Sequence, residues 1–279
     1  MIDDQADFLD DILIVLVIYQ TEINSSLAYL TLTAALRSSQ RRGNIFIYDN
    51  SLNAQTILPN ASAEIQYVHD ASNPGVSKAY NRGFQKAKQL GKKWLLLADQ
   101  DTRFPGNIFS EYQNCIENFR SQIVVPLLLD HIGFVSPFKF WLGGGERVTN
   151  LSGSSEMSIH DFFFHNSGLL ISIDRFEQAG CYDENLPLDF SDMAFVMKLR
   201  RWNNIFLLSN VVCEHQLATS ASANFSERLK RFKSYLHSGR YFYKEYFPSR
   251  ILLIRFFFRA IKLSWSYRNL KFVILFFKK

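Results

Sequence analysis

Cysteine is scarce in this 279-residue sequence, and its placement excludes two common classes of small domain. The three cysteines, Cys115, Cys181 and Cys213, are odd in number, far apart, and form no C-x-x-C pair. A disulfide framework or a zinc ribbon needs paired or closely spaced cysteines. The sequence therefore predicts neither, and three free thiols are typical of a protein in the reducing cytosol.

Long apolar runs are also missing. The candidates, residues 12–19 and 272–277, are far short of the roughly 20 apolar residues that span a bilayer as a helix. The N-terminus is acidic, the opposite of the positively charged start of a signal peptide. Its acids are Asp3, Asp4, Asp7, Asp10 and Asp11. We therefore expect no transmembrane helix and a cytoplasmic location.

The glycine-rich phosphate-binding motifs are absent. No G-x-G-x-x-G follows the first apolar run, and no G-x-x-x-x-G-K-[ST] occurs in the chain. These motifs let backbone N–H groups approach a nucleotide phosphate, so their absence argues against an NAD enzyme and a P-loop enzyme. The Gly143-Gly144-Gly145 run follows no buried strand and is predicted to be a flexible loop.

Acidic residues are nearly absent from the C-terminal part of the chain. Residues 228–279 contain 14 Lys and Arg residues but one acid, Glu245, for a net charge of +13. The preceding residues hold 17 basic and 25 acidic side chains, a net charge of −8. The overall charge of +5 thus hides an acidic body and a basic, aromatic C-terminal segment.

What the sequence does have is a regular alternation of strand-like and helix-like segments. With 47% hydrophobic and 20% charged residues, the chain can bury a large core. Strands are predicted at residues 12–19, 44–49, 64–69, 93–98, 122–129 and 205–212, with shorter ones at 162–164 and 169–173. Helices are predicted at residues 25–37, 76–90, 105–120 and 191–202, and residues 131–160 as an insertion or loop. This order indicates an α/β fold with a Rossmann-like, mostly parallel central sheet flanked by helices.

Polar residues close several of these strands, at the sheet edge where open α/β folds bind ligands. They are Tyr19, Asp49, Asp99 and Asp101. In extended backbone the carboxylates of Asp99 and Asp101 project to one side and can bind Mg²⁺ or Mn²⁺. The alternative for this pair is a solvated turn. Asp49 can hydrogen-bond the ribose or base of a nucleotide, or form an Asx turn with Asn50.

Five motifs in a fixed order resemble glycosyltransferase family 2, whose members have the GT-A fold. They are residues 73–83 (NPGVSKAYNRG), 95–102 (LLLADQDT), 166–168 (NSG), 188–192 (LDFSD) and 213–215 (CEH). Within the family, residues 99–101 and 188–192 are most similar to rhamnosyltransferases that use dTDP-L-rhamnose. Those relatives usually have an acid where this chain has Ala194, which leaves a UDP-hexose such as UDP-galactose as an alternative donor.

The resemblance implies an inverting, metal-dependent transfer of a sugar from a nucleotide diphosphate to an acceptor hydroxyl. Asp101 and His215, with the donor diphosphate, would hold Mg²⁺ or Mn²⁺. Asp192 would be the general base, and Asp189 is its rival for that role. The implied donor-binding residues are Tyr19, Asp49, Asn73, Gly75, Asn81, Asp99 and Asp101. The implied acceptor-side residues are Asn166, Ser167, Gly168 and Asp189. His131, His160, His165 and His237 receive no role from the sequence.

The basic segment is predicted to form a helical extension, residues 226–279, after a catalytic domain of residues 1–225. Arg255, Arg259, Lys262 and Ser266 fall on one face of a helix, with leucines and phenylalanines over much of the rest. This pattern is typical of a helix lying in the interface of an anionic membrane. The alternative is a helix packed on the catalytic domain with its arginines solvated.

Together, the resemblance and the basic segment predict an enzyme bound peripherally to the inner face of a bacterial cell membrane. It would act on a lipid-linked or oligosaccharide acceptor in the synthesis of a cell-surface polysaccharide such as O antigen. Two other classes stay open: a nucleotidyltransferase, which would use the same paired carboxylates, and a nucleic-acid-binding protein with a basic, aromatic tail. The acidic body argues against nucleic acid as a partner.

Overall fold

The computed structural model describes residues 8–141, 144–148, 151, 153–215 and 224–278. Asp3, Asp4 and Asp7 of the acidic N-terminus lie outside these residues. The strands within them are β1 (Ile12–Ile18), β2 (Gly43–Asp49), β3 (Ala63–His69), β4 (Trp94–Asp99), β5 (Thr102–Arg103), β6 (Ile123–Leu129), β7 (Phe134–Ser136), β8 (Phe138–Trp141), β9 (Gly144–Arg147), β10 (Ser155–Ser158), β11 (Leu170–Ser172) and β12 (Ile205–His215). The α-helices are α1 (Leu27–Ser38), α2 (Val76–Gln89), α3 (Ile108–Phe119), α4 (Ile173–Gln178), α5 (Ser191–Leu199), α6 (Phe225–Glu245), α7 (Arg250–Ser266) and α8 (Lys271–Phe277).

Ten of these strands form one mixed sheet. Its order is β10-β12-β6-β11-β4-β1-β2-β3, with β5 paired to β12 and β7 paired to β6. Strand β1 is parallel to β2 and β4, β2 is parallel to β3, and β6 is parallel to β12. Strand β11 is antiparallel to both of its neighbours, β4 and β6. The predicted Rossmann-like sheet is therefore present, and an antiparallel strand joins its two parallel parts.

Strand β1 lies inside the sheet, and all of its residues are buried. Its continuous β-branched run suits a strand that is covered on both faces. Val15 and Val17 pack in the same core layer as α2, whereas Ile14 and Leu16 pack in the layer that holds α1 and α3. The register of β1 with β2 and β4 brings the carboxyl ends of the three strands to one edge of the sheet.

Residues 131–160 differ from the sequence prediction. They were expected to form an insertion or loop, but they contain four short strands, β7 to β10. Strand β10 has the sequence SEMS, with no apolar run, and it forms by antiparallel backbone pairing with β12. Gly144 and Gly145 lie on β9 and not in a flexible loop, while Gly143 lies outside the described residues.

Several element boundaries also differ from the prediction. Residues 162–164 form no strand and make one isolated bridge, between Phe163 and Phe138. Helix α3 begins at Ile108 and not at residue 105, and α5 ends at Leu199 and not at residue 202. The predicted strand at 169–173 ends at Ser172, because the Ser172 hydroxyl accepts a hydrogen bond from the Arg175 N–H and begins α4. Strand β12 continues to His215 because its last residues pair with β5.

The C-terminal segment packs on the body through one face of its helices. The buried positions of α7 recur every four residues: Leu252, Phe256, Ala260 and Ser264. The Phe256 ring lies with its centroid 5.9 Å from that of Phe190 and 5.3 Å from that of Tyr235. Among the described residues, no helix is long and apolar enough to cross a membrane.

Candidate functional site

A cleft of about 470 Å³ opens at the carboxyl edge of the sheet, where β1, β4 and β12 end and α5 begins. The predicted site residues that line it are Tyr19, Asp99, Asp101, Asn166, Ser167, Asp192 and His215, and His165 joins them. A groove of about 570 Å³ between β3 and α2 is larger, but none of the predicted site residues lines it. The cleft with the paired carboxylates is therefore the candidate site.

Asp99 ends β4 and is held from two sides. The Tyr80 hydroxyl on α2 donates a hydrogen bond to Asp99 Oδ1 at 2.6 Å, and the Asp99 N–H donates to Ser167 Oγ at 3.0 Å. Burial raises the pKa of the Asp99 carboxyl, and the negative charge of Asp101 raises it further, although the hydrogen bond from Tyr80 acts in the other direction. The two carboxylates repel one another, and a bound cation would relieve that repulsion.

Strand β5 brings Asp101 to His215 by folding back on β12. Thr102 pairs with His215 across this ladder, and Thr102 Oγ1 lies 2.9 Å from His215 Nδ1. Asp101 Oδ1 lies 3.6 Å from the same nitrogen. Ser167 donates a hydrogen bond to Thr102 Oγ1 at 2.8 Å. The structure thus brings together the two residues that the resemblance implied as metal ligands.

The chemistry of Asp101 and His215 fits a shared cation site. A carboxylate oxygen and an imidazole nitrogen are ligands for Mn²⁺, and the carboxylate also suits Mg²⁺. Asp101 Oδ1 and Thr102 Oγ1 both lie on the Nδ1 side of the His215 ring. Within the described ranges, no group of three or more His, Cys, Asp or Glu side chains is placed to hold a metal ion. A cation here would therefore take its remaining ligands from a diphosphate or from water.

Asp192 lies in the first turn of α5 and is paired with His165. His165 Nδ1 is 2.5 Å from Asp192 Oδ2, and Asp192 Oδ1 accepts a hydrogen bond from the Met193 N–H at 2.7 Å. Burial alone would lower the pKa of His165, but the hydrogen bond to Asp192 and the negative charges of Asp192 and Asp99 raise it above its ordinary value. The structure therefore places in the cleft a histidine to which the sequence assigned no role.

Asp189, the rival for the role of base, is bound to Arg231 of α6. Arg231 Nη2 donates to Asp189 Oδ1 at 2.7 Å, and Nη1 donates to Oδ2. Asp189 is absent from the residues that line the cleft. Its ion pair joins the segment before α5 to the C-terminal helices, so the structure does not bring Asp189 to the other acceptor-side residues.

Asp49 is fully buried, and its carboxylate binds groups of the protein itself. Oδ1 accepts a hydrogen bond from the Ser51 N–H at 2.8 Å, which is the Asx turn that the sequence allowed. Oδ2 accepts hydrogen bonds from the Tyr67 hydroxyl at 2.8 Å and from Gln55 Nε2 at 3.0 Å. In this structure Asp49 holds the loop after β2, and it does not line the cleft.

Tyr19 lines the cleft and is 44% exposed. Its backbone is fixed by the side chain of Gln100, the residue between the two carboxylates. The Tyr19 N–H donates to Gln100 Oε1 at 2.7 Å, and Gln100 Nε2 donates to the Tyr19 carbonyl at 3.1 Å. The end of β1 is thereby tied to the turn that carries Asp99 and Asp101.

Asn73 and Gly75 form the turn before α2, and neither lines the cleft. Both have positive φ, 47° and 93°. A Cβ on Gly75 would lie 2.1 Å from the Pro187 carbonyl oxygen, and the Val76 N–H donates to that oxygen at 2.7 Å. Only glycine allows this approach, which holds the start of α2 against the segment that precedes Asp192.

Asn81, in the second turn of α2, also lies outside the cleft lining. Its Nδ2 donates to the Tyr182 carbonyl at 3.1 Å and to Glu184 Oε1 at 3.0 Å, and its Oδ1 accepts from the Tyr182 N–H at 2.8 Å. The side-chain amide therefore bonds the loop after α4. Of the residues implied as donor-binding, Gly75 and Asn81 here join α2 to that loop, while Asn73 lies in the turn before α2.

The acceptor-side segment 166–168 is divided between the cleft and the core. The Tyr182 hydroxyl donates to Asn166 Oδ1 at 2.7 Å, and Asn166 and Ser167 line the cleft. Gly168, with φ 85°, donates its N–H to the Leu97 carbonyl at 2.7 Å and accepts from the Tyr112 hydroxyl at 2.6 Å. Gly168 thus fixes the segment through hydrogen bonds to β4 and α3.

Sequence reasoning missed four residues that build the site: Tyr80, Thr102, His165 and Arg231. Three of them adjoin or lie within recognised motifs, because Tyr80 is inside residues 73–83, Thr102 follows Asp101, and His165 precedes Asn166. That adjacency is the signal that could have singled them out. Arg231 has no such signal, since its partner Asp189 lies 42 residues earlier on another element.

No protein-family profile matches the chain. In sequence it is 24% identical over 191 residues to the dTDP-rhamnosyl transferase RfbF of Shigella flexneri. That match covers 66% of this chain and 61% of RfbF, so the chain spans less than two thirds of the relative's length.

Solved structures share the fold. TarS 1–349 of S. aureus in complex with UDP-GlcNAc matches with a TM-score of 0.54 and 11% identity, over 92% of this chain and 73% of that one. GalNAc-T7 with UDP, GalNAc and Mn²⁺ matches with a TM-score of 0.58 and 16% identity, over 95% of this chain and 55% of that one. The predicted fold class is confirmed by these neighbours.

Proposed function

We propose that the chain, which has the GT-A fold, transfers a sugar from a nucleotide diphosphate to an acceptor hydroxyl with inversion. One observation carries the proposal. Asp99, Asp101 and His215 meet the Asp192–His165 pair around a single cleft at the carboxyl edge of the sheet. This arrangement supports a site for a cation and a diphosphate beside a group that can take a proton.

Each lining residue has a distinct part in this proposal. Asp101 and His215 would hold Mg²⁺ or Mn²⁺, which would supply neutralisation of the charge that develops on the leaving diphosphate. Tyr19 and Asp99 would position the nucleoside, and Asn166 and Ser167 would border the acceptor. The acceptor hydroxyl would lose its proton to the Asp192–His165 pair as its oxygen attacks the anomeric carbon.

The function of the pair is tested by Asp192→Asn. General-base catalysis is worth about 10²–10⁴ in rate, so we expect kcat to fall by that factor while the donor dissociation constant changes little. Asp189→Asn is the matched control, because Asp189 is bound to Arg231 and does not line the cleft. Full turnover in Asp192→Asn, with loss in Asp189→Asn, would assign the base to Asp189.

We propose dTDP-L-rhamnose as the donor. The name of the relative RfbF supports this choice, while the UDP-GlcNAc and UDP in the neighbouring structures support a UDP-sugar as the alternative. A thermal-shift screen with Mn²⁺ tests both. A donor at 100 times its dissociation constant stabilises the fold by about 2.7 kcal/mol. Stabilisation by UDP-galactose or UDP-GlcNAc, and not by dTDP-rhamnose, contradicts the rhamnosyl assignment.

The released product separates transfer of a sugar from transfer of a nucleotide. Glycosyl transfer releases a nucleoside diphosphate, whereas a nucleotidyltransferase releases pyrophosphate. We expect the full chain to release dTDP from dTDP-rhamnose with Mn²⁺. It should release no pyrophosphate from dTTP and rhamnose 1-phosphate, the substrates from which a nucleotidyltransferase would form dTDP-rhamnose. Chromatography of the products measures this directly, and pyrophosphate as the product would exclude a glycosyltransferase.

A lipid-linked acceptor would place the enzyme at the inner face of the cell membrane, and we propose that α7 and α8 bind it there. The outward side of these helices carries an apolar stripe of large exposed side chains. They are Ile251, Ile254, Phe258, Ile261 and Trp265 on α7, with Leu270, Ile274 and Phe277 on or beside α8. Exposed apolar surface of this extent is typical of an interaction site.

Cations border this apolar stripe. Arg255 and Lys262 on α7, and Lys271 and Lys278 at α8, are exposed, and residues 246–279 contain no acid. Arg259, predicted to face the membrane, lies over the Tyr235 ring at 4.0 Å. Apolar side chains would enter the acyl boundary while the cations reach anionic headgroups. A second copy of this chain is a poor occupant, because two rows of cations would meet with no acid between them.

Vesicle sedimentation tests the membrane proposal. We expect the full chain to sediment with vesicles of phosphatidylcholine and phosphatidylglycerol in equal parts, and not with phosphatidylcholine alone. Phe258→Ser with Trp265→Ser should weaken binding at least about tenfold, since two large apolar side chains leave the membrane. Phe119→Ser with Trp202→Ser removes the same residue types from exposed positions elsewhere. Equal loss in this control, or no sedimentation of the wild-type chain at low salt, contradicts the proposal.

A further inference from the structure

We propose that Nε2 of His165 is the atom that accepts the proton during the transfer, and that Asp192 is the positioning residue that orients the imidazole. This inference rests on the proposed glycosyl transfer and assigns the proton to a named nitrogen. It reverses the roles that the sequence resemblance implied, in which Asp192 takes the proton alone.

The hydrogen bonds of the pair favour His165 as the free partner. Both oxygens of Asp192 are engaged, Oδ2 with His165 Nδ1 at 2.5 Å and Oδ1 with the Met193 N–H at 2.7 Å. Only Nδ1 of His165 is used in this way, and within the described part of the chain Nε2 makes no hydrogen bond. Each oxygen of Asp192 thus has one hydrogen-bond partner, whereas Nε2 of His165 has none among the described residues and has its whole lone pair available.

Exposure agrees with the hydrogen bonds. The side chain of His165 is 40% exposed, whereas that of Asp192 is 17% exposed. Both residues line the cleft, so an acceptor hydroxyl that enters it meets the imidazole more readily than the carboxylate. A base must come within hydrogen-bond reach of the proton that it removes, and His165 Nε2 satisfies that condition with less displacement of the protein.

The imidazole is also held in one orientation. The centroid of its ring lies 5.0 Å from that of Phe138, and the backbone N–H of His165 donates a hydrogen bond to Ser136 Oγ at 3.1 Å. With Nδ1 fixed by Asp192, the neutral tautomer carries its hydrogen on Nδ1 and its lone pair on Nε2. A carboxylate that orients an imidazole in this way also stabilises the imidazolium that forms when the proton arrives.

The charged groups around His165 set its proton affinity. Burial lowers the pKa of the imidazole, but Asp192 on α5, through its hydrogen bond and charge, and Asp99 on β4 raise it above its ordinary value. Asp101 and His215 lie in the same cleft. A base whose pKa lies near the working pH is the most effective. Because its pKa is raised, the imidazole binds the acceptor proton more strongly than an isolated histidine would.

The acceptor O–H gives its proton to His165 Nε2 while its oxygen forms the new bond to the anomeric carbon. The bond from that carbon to the diphosphate oxygen breaks, and its electron pair leaves with the nucleoside diphosphate. His165 becomes an imidazolium paired with the Asp192 carboxylate, and it returns the proton to water after the products leave.

The test compares the pH dependence of kcat/KM with a direct titration of the imidazole. Release of dTDP from dTDP-rhamnose is measured in the full chain, in His165→Gln and in Asp192→Asn. The pKa of His165 is measured by NMR of histidine-labelled protein, with the resonance assigned through His165→Gln. His160→Gln is the control for a histidine substitution outside the cleft.

We expect wild-type activity to fall as the pH decreases through the pKa that NMR gives for His165. His165→Gln should lower kcat/KM by a factor of about 10²–10⁴ and abolish this decrease at low pH, the acidic limb of the pH profile. Asp192→Asn should move both the limb and the NMR pKa to lower pH, because the imidazolium loses its carboxylate. Added imidazole should restore part of the rate of His165→Ala.

Two failures can be told apart. Activity within about threefold of wild type in His165→Gln, with the limb retained, would overturn the assignment and return the proton to Asp192. No release of dTDP or UDP by the wild-type chain from the nucleotide-sugars in the screen would contradict glycosyl transfer itself and, with it, this role of His165. Thermal unfolding of each variant shows whether a loss of rate is a loss of folding.

Discussion

The cleft and the C-terminal helices depart from an ordinary protein surface in opposite directions. The cleft withdraws charge from water, since the side chains of Asp101 and Asp192 are 32% and 17% exposed and Asp99 lies beside them. The C-terminal helices expose apolar side chains instead, with Trp265 at 83% and Phe258 at 62%. Elsewhere apolar side chains fill two large core layers on either side of the sheet.

This difference indicates which two regions of the molecule bind partners. Folding alone favours apolar side chains inside and charges in water, so each departure costs stability. A cation with a diphosphate would neutralise the carboxylates of the cleft, and a lipid surface would remove the apolar stripe from water. Each region thus loses stability in the free protein and gains it on binding its partner. Substitutions can be chosen that measure these two effects separately.

The largest effect is expected from Asp101→Asn in the cleft. It removes a metal ligand, so transfer should fall by about a thousandfold or more. It also removes the charge that repels Asp99, so the metal-free protein should unfold at an equal or higher temperature. Turnover with Mn²⁺ and a thermal melt without metal measure the two effects. Asp161→Asn, an exposed carboxylate outside the cleft, should change neither. A loss of stability in Asp101→Asn would show that the cleft carboxylates serve folding.

The next effect separates the two faces of α7. Phe256 is fully buried and Phe258 is 62% exposed, although they are two residues apart. Phe256→Ala should lower the free energy of unfolding by about 3–5 kcal/mol through loss of a buried aromatic ring. Phe258→Ala should change it by less than about 0.5 kcal/mol. Denaturant titration measures both. Similar losses in the two variants would mean that the apolar stripe belongs to the core.

A smaller effect tests how the cleft is held. Gly75→Ala forces a positive φ on alanine and places a Cβ against the Pro187 carbonyl, so we expect a loss of about 3 kcal/mol. Gly91→Ala is the matched control, because Gly91 also has a positive φ, 65°, but has no atom within 4 Å of the added Cβ. It should lose about 1 kcal/mol. Equal losses in a denaturant titration would show that the approach to Pro187 contributes nothing.

The smallest effect concerns Asp183, which joins the body to the C-terminal helices. Tyr241 of α6 and Tyr246, the residue after α6, donate hydrogen bonds to Asp183 Oδ2 at 2.9 and 2.7 Å. Burial acts to raise the pKa of Asp183, but these hydrogen bonds and those from Asn185 lower it below its ordinary 3.8. A lowered pKa stabilises the fold above the ordinary value, and that stability is lost as the pH falls through the folded value.

We therefore expect Asp183→Asn to cost about 1 kcal/mol at neutral pH. The difference from wild type should shrink as the pH decreases below about 4, where the unfolded-state carboxyl becomes protonated. Unfolding at several pH values measures this. A difference that stays constant with pH would mean that the hydrogen bonds do not depend on the charge of Asp183.

The strand-end part of the cleft could be predicted from sequence because buried strands mark their own ends. The apolar run of β4 stops at Asp99, and parallel neighbours bring Tyr19 to the same edge. The same logic fails for Asp49, which also ends a buried strand. Its burial depends on Gln55 and Tyr67, which reach it from the following loop and strand.

The His165–Asp192 pair could not be predicted in the same way. Its members lie 27 residues apart, on a loop and on the first turn of a helix, and no local periodicity relates them. Their approach is set by tertiary packing, including the contact of His165 with Phe138. Likewise, helical spacing predicts α7 but not which face packs, because apolar residues occupy both faces.

The place of β11 in the sequence affects when the sheet can form during synthesis on the ribosome. Strands β4 and β6 both need β11 as a neighbour, yet β11 is the last of the three to be synthesised. Until residue 172 emerges, each of the two earlier strands presents an unpaired apolar edge, the kind of surface on which nascent chains aggregate. Strand β11 therefore covers an edge of β4 and an edge of β6 together, and the other edge of β6 is covered only later, when β12 has been made.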